Sequence, residues 1–437
     1  MRIWDFDPSN GKMTGNDCGI RGLKRTVNCV SISDDDSTLY YGTTTGDIVE
    51  INMSSRNLKA VGPERSKFEM GVQSLSVLKN GSILVGAGDG TVAVVNPAKW
   101  KVTRSKKVEG SVTSIGVRGD GHEFFVGTNQ ANIYRFGYAD FASSQRFTGH
   151  SVGVNDVIFP AETNALFITC AGNEIRVWHT ASSQLLLRIQ VSAQATCNCI
   201  AISPNGGLII SGWSDGCIRA FSPETGKKVF EVANANGKGV TALSFFVDPR
   251  RFISGGGDGQ VRLWLIGDKT ASLESTLKEH SAVITSLHIS ESDEECVTSS
   301  EDGTCIIWNL ISMTRRQIIF SNTLFRAVRY NPDESQVITV GTDRKVGYWE
   351  AYDGNLIRER EVTKTGQLNT CDISPDGSSF VVGGSDQEVQ VYSYKTCERI
   401  AVGVGHAAPI KRAKICPAKS CIVSVSADGA IYRWGFP

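Results

Sequence analysis

The chain has 437 residues, of which 41% are hydrophobic, 21% charged and 8% aromatic, with 45 basic side chains against 45 acidic ones. That composition excludes a disordered chain, the zero net charge leaves no bulk field to draw in nucleic acid or anionic lipid, and the length suggests more than one domain. No apolar run reaches the roughly 18 residues of a membrane span, and the start, Met1-Arg-Ile-Trp-Asp-Phe-Asp7, has no basic segment leading into an apolar one, so neither secretion nor membrane insertion is expected.

A short phrase recurs along the chain: small residues ending a strand, an Asp-Gly turn, then an apolar-rich stretch that closes on an aromatic. Its clearest copies are Ser300-Glu-Asp-Gly-Thr-Cys-Ile-Ile-Trp308 and Ser426-Ala-Asp-Gly-Ala-Ile-Tyr-Arg-Trp434. In chain order the closing position falls at Trp4, Ile51, Val95, Phe136, Trp178, Phe221, Trp264, Trp308, Trp349, Tyr392 and Trp434, a period of about 43 residues. The first copy is a lone strand, Arg2-Ile-Trp-Asp5, and three full copies follow. After the Val95 copy comes the densest basic run, Lys99, Lys101, Arg104, Lys106 and Lys107, on a predicted outer strand. The stretch Gly137-Tyr-Ala-Asp-Phe-Ala-Ser-Ser144 joins these copies to seven more and is too short to be a flexible tether. Within the later copies the strand signal is plain: Lys227 to Val232, Val240 to Val247, Arg251 to Gly257 and Gln260 to Ile266 are apolar, β-branched or aromatic runs cut by turn residues. Four short antiparallel strands per period make a β-propeller blade, at the repeat length of WD-repeat proteins.

Three copies also resemble the buried hydrogen-bond tetrad of the WD-repeat family. The quartets are His150, Thr169 and Trp178, without an Asp; His280, Thr298, Asp302 and Trp308; and His406, Ser424, Asp428 and Trp434. A His beside an Asp invites a catalytic reading, but these recur at fixed offsets with no nucleophile sharing a cleft, so they are read as structural. A further copy keeps Ser254, Asp258 and Trp264 without a histidine.

Fold class and domain organisation follow from counting. Residues 140–437 are expected to form a complete seven-bladed propeller, closed by the strand near Ser144 to Thr148 pairing outside the blade of Pro409 to Phe436. Residues 1–139 are expected to be the C-terminal part of a first propeller, three blades plus one strand, with about four blades lying upstream. An exposed sheet edge there would be an aggregation liability.

The chemical motifs read as architecture. Gly255-Gly-Gly-Asp-Gly259 and Gly86-Ala-Gly-Asp-Gly90 precede strands, not the helix N-terminus that a phosphate cradle requires. Asp34-Asp-Asp36 and Glu291-Ser-Asp-Glu-Glu295 are solvated turns that lack calcium-loop spacing. The histidines His122, His179 and His288 lack ligand-spaced companions, and the 12 cysteines show no C-x-x-C pair; they are read as reduced thiols of a cytosolic-type compartment. Cys197 and Cys199 are expected to pack as small hydrophobes on one strand face. No catalytic, cofactor-binding or metal-binding residue is expected, and no small-molecule substrate. A second basic cluster, Lys411, Arg412 and Lys414, joins the Lys99–Lys107 run as a candidate partner-binding surface for an acidic protein. Nucleic acid fits poorly, because these runs lack interleaved stacking aromatics.

Several stretches resemble one particular family beyond the generic repeat: Gly42-Thr-Thr-Thr-Gly-Asp47, Asp156-Val-Ile-Phe-Pro160, Ile175-Arg-Val-Trp-His-Thr180, Asn322-Thr-Leu-Phe325, Gly341-Thr-Asp-Arg-Lys345 and Val402-Gly-Val-Gly-His406. On these the chain resembles the ciliary tandem-propeller WD-repeat family, the cilia- and flagella-associated proteins of the doublet microtubule lumen. The resemblance implies a non-enzymatic scaffold of the axoneme that binds tubulin and other luminal proteins and stiffens doublets for motility. The alternative is a general cytosolic adaptor that binds peptides on the propeller's top face through residues such as Trp213.

Overall fold

The computed structural model describes residues 2–63, 67–161 and 163–437. The described residues are strands and turns throughout, and the chain divides into two compact units, Met1–Ser151 and Val152–Pro437. The unit boundary thus falls after Ser151 and not at the expected residue 139.

The first unit opens with a hairpin, β1 (Arg2–Asp7) paired to β2 (Lys12–Asp17), where a lone strand was expected. Three antiparallel meanders follow: β3–β6 (Val27–Ile32, Thr38–Thr43, Ile48–Asn52, Asn57–Gly62), β7–β10 (Val72–Val77, Ile83–Ala87, Thr91–Asn96, Lys101–Lys107) and β11–β14 (Val112–Arg118, Glu123–Thr128, Asn132–Gly137, Ser143–Thr148). The inner strands β3, β7 and β11 lie side by side. Their sheets pack face to face through Ile83, Val85, Val95 and Phe136, all fully buried.

The second unit stacks seven sheets. They are β15–β18 (Val154–Ile158, Leu166–Ala171, Glu174–His179, Leu185–Gln190), β19–β22 (Cys197–Ile202, Ile209–Trp213, Ile218–Phe221, Lys228–Val232), β23–β26 (Val240–Phe245, Arg251–Gly256, Val261–Ile266, Ala271–Leu277) and β27–β30 (Ile284–Ile289, Glu295–Ser300, Thr304–Asn309, Thr314–Phe320). Then come β31–β34 (Phe325–Tyr330, Gln336–Gly341, Lys345–Glu350, Leu356–Glu361), β35–β38 (Leu368–Ile373, Ser379–Gly384, Glu388–Ser393, Arg399–Val404) and the three strands β39–β41 (Ile410–Ile415, Cys421–Ser426, Ile431–Gly435). Each inner strand lies against the next, and β39 and β40 lie against β15, so the ring of sheets closes on itself.

The closure differs from the expected one. The strand at Ser143–Thr148 is β14, the fourth strand of the last sheet of the first unit, paired to β13 from Asn132↔Thr148 to Phe136↔Ser143. A hairpin across a turn of a few residues costs far less loop-closure entropy than a pairing hundreds of residues away, and the local partner wins. Consequently, among the described residues, β41 pairs only with β40.

Local chemistry explains the regularity. The residue after the turn Asp is left-handed, with φ of +82° at Gly303 and +92° at Gly429, where a side chain would be strained. Three sheets accept that strain, since Ala131, Arg344 and Gln387 occupy the same turn position at +56°, +67° and +66°.

Candidate interaction surfaces

The tetrad residues come first because they fix the blades that present any surface. In β27–β30 the network is complete. Trp308 Nε1 donates to Thr298 Oγ1 at 2.8 Å, Thr298 Oγ1 lies 2.8 Å from His280 Nε2, and His280 Nδ1 lies 3.1 Å from Asp302 Oδ2. Thr304 braces the far end, its hydroxyl donating to Asp302 Oδ1 at 2.5 Å and lying 2.9 Å from His280 Nδ1. Burial lowers the His280 pKa against the opposing pull of Asp302, so the ring is neutral near pH 7. Asp302 is held below the usual carboxylate range: burial opposes this, and hydrogen bonds from Thr304 and the Ser281 N–H overcome it.

In β39–β41 the same four residue types close only in part. Trp434 Nε1 donates to Ser424 Oγ at 2.8 Å, and His406 Nε2 lies 2.6 Å from that hydroxyl. Asp428 instead accepts from Ser426 Oγ and from the Ala430 N–H, leaving His406 Nδ1 buried without a hydrogen-bond partner among the described residues. In the third quartet Trp178 Nε1 donates to Thr169 Oγ1 at 2.8 Å; His150 lies in the first unit.

The sheet that lacks a histidine replaces it. Asn236 Oδ1 accepts from Ser254 Oγ at 3.1 Å, its Nδ2 donates to Asp258 Oδ1 at 3.3 Å, and Trp264 Nε1 donates to Ser254 Oγ at 2.9 Å. An amide with one donor end and one acceptor end performs the relay of a neutral imidazole.

The two basic clusters separate sharply. Lys99, Lys101 and Lys106 are exposed around β10, the outermost strand of its sheet. Lys107 Nζ pairs with Asp89 at 3.1 Å. Arg104 belongs to the packing, its guanidinium 4.5 Å from the Tyr138 ring centroid and hydrogen-bonded to the Ala139 carbonyl at 3.1 Å.

Lys411, Arg412 and Lys414, by contrast, are not on an outer strand. They lie on β39, the innermost strand, and line the central channel. Arg412 Nη2 donates to the Thr285 carbonyl at 3.1 Å and its Nε lies 3.6 Å from Asp156 Oδ1. Lys414 Nζ donates to Asp372 Oδ1 at 2.6 Å, and Arg329 Nε reaches the same carboxylate at 3.4 Å. Burial, then the Arg329 charge, lowers the Lys414 pKa, while burial raises that of Asp156 against the pull of Arg412. These charges therefore satisfy one another across the channel waist, beside a cavity of about 300 Å³, and only Lys411 is exposed, at a wider mouth of about 510 Å³. Alternation of charge along a strand cannot distinguish a solvent edge from a channel wall, which is why the sequence placed both clusters on one kind of surface.

Trp213 is fully buried, with its indole N–H donated to Ser211 Oγ at 2.8 Å, and is no part of a top-face binding surface. Cys197 and Cys199 are buried as expected, but a bulge between them breaks the simple alternation.

One set of residues escaped the sequence reading altogether. Asn155, Asn198, Thr241, Thr285 and Asn369 each send a side-chain donor to the carbonyl of the next sheet's inner strand, at Cys197, Val240, Ile284, Phe325 and Ile410, over 2.6–3.0 Å. They stand at or beside the bulge that opens each inner strand, where the unpaired residue is free to turn sideways. Their signal was a polar residue recurring one period apart just inside the first strand.

Among the described residues no group of three or more His, Cys, Asp or Glu side chains is placed to hold a metal ion. His179 Nδ1 lies 2.8 Å from Ser182 Oγ, and His288 is half-buried beside Tyr330.

The family described as "WD domain, G-beta repeat" matches residues 141–179, 185–222, 227–264, 271–309 and 356–393. Over 437 residues the chain is 46% identical to cilia- and flagella-associated protein 52 of Sus scrofa and to that of Homo sapiens, covering all of this chain and 70% of each relative. The protein of that name from Chlamydomonas reinhardtii is 39% identical over 439 residues, again across the whole chain and 71% of the relative.

Proposed function

The chain belongs to the cilia- and flagella-associated protein 52 family of WD-repeat proteins, and from that membership we propose that it is a non-enzymatic scaffold of the axoneme, a microtubule inner protein that binds tubulin and other luminal proteins and stabilises doublet microtubules for motility. The observation that carries this reading is the unbroken likeness across the whole chain to relatives from mammals and a flagellated alga. The fold suits it too: sheets braced internally by tetrads and tied to one another by carbonyl clamps and a charged channel waist resist shear, and the titratable groups of the waist are committed to one another. On this reading the second unit is a whole propeller and the first unit part of another.

The experiment is extraction of demembranated axonemes, followed by immunoblotting through high salt and then through a detergent that opens the doublet wall. High salt, with a Debye length of about 3 Å at 1 M, screens exposed charge contacts but does not release an enclosed protein. Retention through salt with release on wall opening is the expected result. Elution in salt, or failure to sediment with axonemes, overturns the luminal reading in favour of the adaptor reading.

A further inference from the structure

In the second unit the second residue of every inner strand stands at a bulge, and five of the seven follow one rule. Asn155, Asn198, Thr241, Thr285 and Asn369 are short and send a donor to the carbonyl of the next inner strand. Strands β31 and β39 place Arg326 and Lys411 there instead, and among the described residues neither makes the clamp. Arg326 Nη1 donates to Glu301, while its Nε is buried without an acceptor among the described residues. Lys411 is exposed and has no carboxylate partner among them. A device repeated at fixed positions and broken at two of them marks those two for a different task.

Both exceptions open on the wide mouth of the central channel, a cavity of about 510 Å³ whose lining also holds Arg412 and a single carboxylate, that of Glu301. At the waist below, each charge has a partner, yet Arg329, Arg412 and Lys414 share the two carboxylates of Asp156 and Asp372. Mouth and waist together therefore hold five cations against three carboxylates among the described residues, an excess of two positive charges in a chain whose net charge is zero. Charge of one sign between low-dielectric walls focuses its field on the opening. Among the described residues no aromatic side chain lines the mouth, so nothing there would stack on a nucleobase.

We propose that the channel mouth of the second unit is a binding site for a soluble phosphate ester without an aromatic ring, one phosphate of which sits among Lys411, Arg326 and Arg412. A phosphate carries about −1.5 to −2 charges near pH 7 and matches the excess, which a single carboxylate does not. Lysine meets it as a point charge and the arginines through their planar forks. A cavity of this volume exceeds what inorganic phosphate fills and suits an ester of a small polyol.

The test titrates the full chain with myo-inositol hexakisphosphate by calorimetry at fixed ionic strength. The expected result is one molecule bound per chain, with amide hydrogen exchange slowed at the starts of β31, β35 and β39. Lys411→Gln weakens binding by about tenfold, and Glu301→Gln, which removes the carboxylate of the mouth, tightens it, an outcome that loss of folding cannot imitate. Lys101→Gln combined with Lys106→Gln, on the exposed outer strand β10, leaves binding unchanged. No binding, or binding that the β10 pair controls and Lys411 does not, overturns the proposal. So does equal affinity for inorganic tripolyphosphate, which would dispense with the polyol, or for a hexaglutamate peptide with the same dependence on Lys411, which would give the mouth to an acidic protein segment. Co-sedimentation with phosphatidylcholine vesicles containing a phosphoinositide separates the two sources of such an ester. A chain that stays in the supernatant agrees with a soluble ligand, whereas Lys411-dependent sedimentation assigns a lipid headgroup and overturns it.

Discussion

Sheets β27–β30 and β39–β41 carry the same quartet of residue types, yet one forms a closed relay and the other an open one. In the first, Asp302 faces His280, Thr304 braces both, and Trp308 is 1% exposed beneath β30. In the second, Ala430 stands where Thr304 does, Asp428 turns to Ser426, and among the described residues His406 Nδ1 has no partner and no strand covers the half-buried Trp434. The quartet therefore does not determine the network. A hydroxyl just after the turn and a fourth strand over the indole decide whether the relay closes.

The largest test of this contrast is removal of the indoles. Trp308→Ala creates a cavity in a sealed sheet and is expected to cost about 3 to 5 kcal/mol, whereas Trp434→Ala, whose site solvent already reaches, costs clearly less. Hydrogen exchange across the two sheets reads the difference, and equal losses would mean that β30 does not seal its tryptophan. Next in size, His280→Ala strands Thr298 and Asp302 and is expected to cost about 1 to 3 kcal/mol; His406→Ala, which breaks a single link, should fall at or below the low end in the same urea titration.

A smaller change sharpens the comparison in the other direction. Ala430→Thr supplies the missing hydroxyl and is expected to stabilise β39–β41 by about 0.5 to 1.5 kcal/mol, with Thr304→Ala losing a similar amount from β27–β30. If Ala430→Thr leaves exchange in β40 and β41 unchanged, the brace is not what separates the sheets.

The smallest contrast is in pH, because burial lowers the pKa of both His280 and His406, with Asp302 and Asp428 opposing it. The unfolded chain binds these protons first, at about pH 6.5. Stability is therefore full above that value and is lost as the pH falls through it toward the folded-state pKa values. Both sheets should weaken together between about pH 7 and 5, with His288, whose pKa desolvation also lowers, adding the same sign. Thermal midpoints that rise on acidification over that range would show the rings to be charged in the fold.

Much of this architecture was legible in the residues. The period, the Asp-Gly turns and the alternating strands are local signals, and the three inner strands of each sheet from β3 onward fall where those signals put them. The tetrads at His280 and His406 were readable as spacings, and Asn236 was missed because only its amide geometry marks it as a histidine substitute. The carbonyl clamps at Asn155, Asn198, Thr241, Thr285 and Asn369 were periodic as well, but a polar residue at a strand start has no directional signature until a bulge turns it.

What the sequence by itself determined is therefore what depends on neighbours along the chain: strand, turn, strand, repeated until the sheets must stack. Tertiary structure alone decided that Ser143–Thr148 joins β13, that Lys411, Arg412 and Lys414 line a channel, and that Trp213 is core. Each of these depends on which groups meet across long separations. A cation or an indole reads the same in the chain whether its side chain ends in water, in a channel wall or beneath another strand.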